Sequence, residues 1–224
     1  GYYHSQLIFR SSSVMGPYEA YANNPILTPF GLADDRPLPI TATGHGDMVQ
    51  DQNGDWWMVF LGTRPYDLHR PGHQDPGNFV TGRETFMLPV TWRDGWPIVL
   101  EKGKAVPYLV TRPNLPRDPA PSKPVTGNYS VAETFSRPTL GDEWQMVRAP
   151  ATPWWQTGKG LTLKARSAQL GRFEQPSFIG RRIAHLNSTL TTKIHFSPTQ
   201  PSDEAGLLAV QNDLHYFRFG IARS

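Results

Sequence analysis

The chain has 224 residues and a formal net charge of +3, enough for one large or two ordinary domains. No Lys/Arg block reaches the density of a nucleic-acid patch, cysteine is absent, and no apolar run approaches a membrane span, which excludes disulfides and thiolate chemistry and argues against polyanion or bilayer partners. The 22 prolines and 20 glycines are scattered among short apolar runs, a texture of many short strands joined by turns, so the composition favours an all-β architecture.

In chain order, Tyr2 to Ser11 reads as a strand, with Gln6, Ile8 and Arg10 on one face and Leu7 and Phe9 on the other. Ser11 to Pro17 reads as a turn and Tyr18 to Tyr21 as a short extended piece. Ile26 to Ile40 contains Pro29, Pro37 and Pro39 without periodicity and reads as a loop. Two hairpins follow between Thr43 and Val99. One is expected to turn at Asn53-Gly54 and the other at Asp94-Gly95, dipeptides that tolerate positive φ. The apolar runs Trp56 to Leu61 and Phe86 to Trp92 flank them. Tyr66 to Thr81, rich in Asp, His, Pro and Gly, cannot be a core strand, and a loop of that length is either functional or disordered.

Residues 111–125 carry Pro113, Pro116, Pro119, Pro121 and Pro124 and form an extended, semi-rigid connector between a first domain, 1–110, and a second, 126–224. The second domain shows short alternating strands at 161–166, 177–182, 188–196, 205–211 and 215–221, a sandwich-like spacing. The β-branched run Ser188 to Phe196 is the plainest of them. The chain opens in strand-like sequence without Met and stops after another strand, so both ends read as cut and the second domain as incomplete.

Near the strand ends sit residues with chemical potential and little packing use: His45 between two glycines, Asp47, Arg64, Arg83 and Glu84. On the residues alone, His45 is either satisfied by a buried carbonyl or directed at a ligand. Asp47, two residues on, shares its face. Arg64 either flanks a cavity or caps a turn. Arg83 and Glu84 alternate, so they face opposite ways. A planar guanidinium at Arg83 can take two hydroxyls or hold a carboxylate in a fixed orientation, while Glu84 suits a structural ion pair. His69 and His73 with Asp67 and Asp75 have tempting zinc spacing, but a Pro/Gly loop without a second ligand cluster favours solvation. Trp56-Trp57, Trp92, Trp96 and Trp154-Trp155 are candidate stacking platforms, although adjacent Trp residues face opposite ways and at least one of each pair is most simply core. Arg181-Arg182 is too isolated to indicate a phosphate ligand, and the sequons at Asn128 and Asn187 mean little without evidence of secretion.

TGHGDMVQDQNGDWWMVFLGTRP followed by GRETFMLPVTWRDGWPIV resembles the last blade of glycoside hydrolase family 43, the β-xylosidases and α-L-arabinofuranosidases. Upstream, YYHSQLIFRSSSVMGPYEAYANNPIL is similar to the preceding stretch of that family. Downstream, ETFSRPTLGDEWQMVRAP, PSFIGRRIAHLNSTLTT and DEAGLLAVQND resemble its C-terminal β-sandwich. The resemblance implies part of a five-bladed β-propeller, then part of a concanavalin-like sandwich. It also implies inverting hydrolysis of xylosides or arabinofuranosides taken from xylan-derived oligosaccharides. An acid and a base then stand roughly 6.5–9.5 Å apart to admit water. The family's Asp, Asp and Glu fall upstream of Gly1, so no catalytic residue is expected in this chain, and the chain alone is expected to be inactive.

By the same resemblance His45 lies at the propeller axis near the sugar or a central metal ion, Arg83 reaches the substrate, and His4 lies near the pocket. No redox cofactor is implied; Ca2+ at the axis is compatible. The expected partner is a xylo-oligosaccharide or arabinoside, with no nucleic acid and no membrane. A noncatalytic carbohydrate-binding β-module protein is the alternative, and the two differ in whether catalytic carboxylates precede Gly1.

Overall fold

A computed structural model of the chain describes residues 4–33, 35–67, 78–117 and 127–223. The chain divides into two compact units. The first comprises Gly1–Ser122 and Ile183–Asn187, and the second Lys123–Arg182 and Ser188–Ser224. Among the described residues regular structure is entirely β, apart from one 3-10 turn at Leu170–Arg172.

The first unit is built on a four-stranded antiparallel meander, the shape of a propeller blade. Its strands are β3 (Thr41–Gln50), β4 (Trp56–Thr63), β5 (Glu84–Arg93) and β6 (Trp96–Ile98), in that spatial order. Before it, β1 (Phe9–Arg10) pairs with β2 (Glu19–Ala20), and Gln6 bridges Leu27.

Directly paired residues share a face, so the register sorts the sheet. The pairs Met48–Met58, Met58–Leu88, Phe60–Phe86 and Gly62–Glu84 place Met58, Phe60 and Leu88 on one face. There they join Ile26, Leu27, Ile40, Val90, Val99 and Val106 in the core. Asp47–Val59–Met87 and Val49–Trp57–Pro89 mark the other face. Ile26, Leu27 and Ile40 therefore anchor in the core although the stretch joining them, expected as a loop, is irregular.

The β5–β6 turn follows its sequence signal: Asp94 and Gly95 have φ of 51° and 73°, the pair of left-handed residues a type I′ turn requires. The β3–β4 turn departs from it. Only Gly54 is left-handed (φ 88°), and the loop is tied by the Asp51 carboxylate, which accepts the Asn53 and Asp55 amides at 2.9 and 3.0 Å. A side-chain acceptor replaces the second left-handed residue.

The second unit holds β7 (Trp155–Gln156) against β8 (Thr162–Leu163), β9 (Glu204–Asn212) against β10 (His215–Ala222), and a bridge between Gln145 and Gly180. Three expected strands are corrected here. The 161–166 run pairs only at Thr162–Leu163, 177–182 only at Gly180, and 188–196 forms no strand. The last is the clearest lesson. Its β-branched residues lie largely exposed, and propensity without a neighbouring strand to accept the backbone hydrogen bonds makes no ladder.

Candidate functional site

The start of the blade concentrates unusual backbone. Strand β3 advances three residues against two on β4 twice, between Thr41 and Gly44 and again between Gly44 and Asp47. Each step is a β-bulge, and each contains a non-glycine residue in the left-handed region: Ala42 (φ 50°) and His45 (φ 55°). Residues other than glycine adopt that region at a cost of about 1 kcal/mol or more, so surrounding structure must hold them there. The paired glycines answer a different need, close approach. A Cβ on Gly44 would lie 2.8 Å from His4 Nε2, and one on Gly46 would lie 2.9 Å from Met58 Sδ. The Gly46 amide also donates to Gln6 Oε1 at 2.9 Å.

His4 is thus packed against the residue preceding His45. Its Nδ1 stands 2.9 Å from the Ala42 carbonyl oxygen. A carbonyl only accepts, so Nδ1 carries the proton and Nε2 is the nitrogen turned to Gly44. Next to these residues, Thr43 is 1% exposed, and its hydroxyl has no hydrogen-bond partner among the described residues, an orphan of the kind native cores rarely leave. His45 itself is exposed, as is Asp47.

Arg83 immediately precedes β5 and is also exposed. Thr85 pairs with Leu61 and Leu61 with Gly44, so Arg83 and His45 flank one transverse row of the sheet, two strand spacings apart. That places their backbones roughly 14 Å from each other, from about 4.8 Å per strand and about 3.3 Å per residue. By alternation with Met87, Arg83 shares the face of Asp47.

Glu84 lies on the core face and is one half of an ion pair. Arg64 donates from Nε and Nη2 to its two carboxylate oxygens at 2.8 and 2.7 Å, a bidentate fork. Thr81 Oγ1 adds a third bond at 2.8 Å. The side chains are only 15% and 23% exposed. Burial pushes Glu84 up, but the bonds from Arg64 and Thr81 outweigh it and hold the carboxyl below its ordinary value. The same carboxylate raises the Arg64 guanidinium. The remaining Arg64 donors reach Tyr108 Oη and the Ala184 carbonyl, each at 2.9 Å. Tyr108 and Ala184 carry no sequence signal for this role, because they lie 44 and 120 residues away.

Trp57 and Trp154 are buried, while Trp56 and Trp155 are half-buried; Trp56 packs against the core of the first unit and Trp57 is covered on the opposite face of the sheet. Trp96 is also buried, under Tyr21 and the Arg10 guanidinium. His69, His73 and Asp75 lie outside the described residues; Asp67 is paired with Asn78. Among the described residues no three His, Asp or Glu side chains gather as a metal site.

A family model for glycosyl hydrolases family 43 matches residues 1–97, and one for the β-xylosidase C-terminal concanavalin A-like domain matches residues 132–224. A non-reducing end α-L-arabinofuranosidase of Bacteroides ovatus is 37% identical over 222 residues, 97% of this chain and 38% of that protein. A xylan 1,3-β-xylosidase of Vibrio sp is 33% identical, over 96% of this chain and 39% of its own length. Among solved structures, the Bacteroides ovatus xyloglucan PUL GH43B superposes with a TM-score of 0.77 at 33% identity, covering all of this chain and 42% of that one. The GH43 BlXynB protein of Bacillus licheniformis follows with a TM-score of 0.76 at 31% identity, over all of this chain and 41% of that one. The chain therefore spans about two fifths of the length of the relatives it matches. With an all-β fold of partial propeller and partial sandwich, and both family domains in order along it, the chain belongs to glycosyl hydrolase family 43.

Proposed function

We propose that the protein carrying this chain is a glycosidase. It removes terminal xylosyl or arabinofuranosyl groups from xylan-derived oligosaccharides by inverting general acid/base hydrolysis. The observation that carries this reading is the end-to-end alignment with proteins named for those activities, through both units and at 33–37% identity for two of them.

Within that reading, Arg83 binds sugar hydroxyls through its planar fork, and His45 approaches the sugar from the bulged strand two positions across the sheet. His4 supports the backbone beside His45, with Nδ1–H fixed on the Ala42 carbonyl. In this reading the general acid and base are supplied by sequence preceding residue 1, as the family resemblance implies.

The test is release of p-nitrophenol from the β-D-xylopyranoside and the α-L-arabinofuranoside by the full-length protein, beside the 224-residue chain. Hydrolysis of at least one glycoside by the former and of neither by the latter is expected. Saccharide binding without hydrolysis by the full-length protein would favour a carbohydrate-binding module instead. Turnover by the 224-residue chain would overturn the placement of the acid and base.

A further inference from the structure

Arg64 gathers four stretches of chain that sequence keeps apart. Its guanidinium follows the end of β4, forks onto Glu84 at the start of β5, and donates to Tyr108 and to the Ala184 carbonyl. The last belongs to Ile183–Asn187, the short segment by which the chain returns to the first unit. Four of the five guanidinium N–H directions are thereby used, and each bond is 2.7–2.9 Å. An ammonium at this position has neither the fork nor the reach to serve three acceptors in one plane.

The carboxylate end of this hub is also a clamp. Thr81 Oγ1 and Glu84 Oε2 close a four-residue ring of chain, Thr81-Gly82-Arg83-Glu84. Gly82 takes φ of 71°, a turn that glycine makes without strain. Arg83 lies inside the closed ring with its side chain on the opposite face from Glu84. Its Cα is therefore fixed by bonds that never touch its guanidinium. A part-buried ion pair is a poor source of net stability, since apolar residues of similar volume do as well. What it supplies better than an apolar patch is direction.

We propose that Arg64 is a positioning residue for saccharide binding, acting through Glu84 and Thr81 to set Arg83 and through the Ala184 carbonyl to hold residues 183–187 at the same strand end. This rests on the reading that Arg83 contacts the sugar.

The experiment uses the full-length protein with Arg64→Lys, Thr81→Val, Arg83→Ala and the double variant Arg64→Lys/Arg83→Ala. Steady-state kinetics are taken on whichever aryl glycoside is turned over, with amide hydrogen exchange of residues 183–187 as a second readout. Arg83→Ala should raise KM. Arg64→Lys should raise KM about tenfold with kcat little changed, Thr81→Val should do so less, and the double variant should be no worse than Arg83→Ala alone. Exchange at 183–187 should quicken in Arg64→Lys and stay unchanged in Arg83→Ala.

Equal losses in kcat and stability that add in the double variant would mark Arg64 as merely structural and overturn the inference. An Arg83→Ala protein with unaltered KM would sink the sugar-contact reading first, and the positioning role with it. Normal KM in Arg64→Lys beside a raised KM in Arg83→Ala would overturn the positioning role alone.

Discussion

Strands β4 and β10 are each eight residues long, each rich in aromatic and aliphatic residues, and they have opposite fates. In β4 (WWMVFLGT), Trp57, Met58 and Phe60 are 7%, 2% and 1% exposed. In β10 (HYFRFGIA), Phe217 and Phe219 are 84% and 81% exposed. The propensities match; the neighbours do not. Strand β4 is paired on both sides and its core face is roofed by Ile26, Leu27 and Ile40, whereas β10 pairs with β9 alone among the described residues. Strand chemistry writes the strand, and the layer above it decides whether apolar side chains stabilise anything.

The largest effect should come from the buried side of that contrast. Phe60→Ala removes a ring stacked on Phe86 at 5.8 Å in the middle of the core and should cost about 3–5 kcal/mol. Amide exchange across β3, β4 and β5 would register it. A loss below about 1 kcal/mol would show that the blade's core is not what holds the first unit.

Next comes the ion pair at the edge of the same sheet. Arg64→Ala leaves the Glu84 carboxylate, among the described residues, with the Thr81 hydrogen bond and the nearby His185, and should destabilise the first unit by about 2–3 kcal/mol at neutral pH. Its pH dependence has a definite sign. The folded Glu84 carboxyl lies below its ordinary value of 4.5, so its contribution is complete above that value and fades as pH falls through the folded one. Thermal melts of the Arg64→Ala protein and its parent should therefore converge on acidification; a gap that widens toward low pH would refute the assignment.

How much of this was legible beforehand follows the same division between local and distant causes. Asp94-Gly95 announced its turn because a type I′ turn is a two-residue property. The split of Trp56-Trp57 and of Arg83-Glu84 between faces followed from strand alternation, another local rule. The run 188–196 has the composition of a strand and forms none, because pairing is supplied from elsewhere. The bulges at Ala42 and His45 were invisible for a related reason: no local signal marks a histidine between two glycines as the residue that takes the left-handed φ. Gly44 and Gly46 are instead shaped by His4 and Met58, 40 and 12 residues away. Tyr108 and Ala184 at the Arg64 hub had no signature at all.

Those two glycines provide a smaller, internal comparison. Gly44→Ala drives a Cβ against the His4 ring, which is held by its bond to Ala42 and cannot easily yield, so about 1–3 kcal/mol is expected. Gly46→Ala meets the Met58 thioether at the end of a flexible chain and should cost less, since the sulfur can swing aside. Denaturant midpoints of the two variants would order them, and a reversed order would place His4 elsewhere.

The smallest effect belongs to β10. Phe217 and Phe219 lie on one face of the β9–β10 hairpin, opposite Ala209 and Leu207 in the register. Replacing Phe217 by Ser removes apolar surface that is already wet in this chain, so the folded and unfolded states lose nearly the same hydration penalty. The stability of the second unit should change by less than about 0.5 kcal/mol, the range of surface substitutions. Self-association should fall in the same variant, because an exposed apolar sheet face with an open edge is what invites other chains to pair. Sedimentation and thermal melting of the 224-residue chain measure both. A destabilisation comparable to that of Phe60→Ala would mean that this face is covered as β4 is, and the contrast between the two strands would collapse.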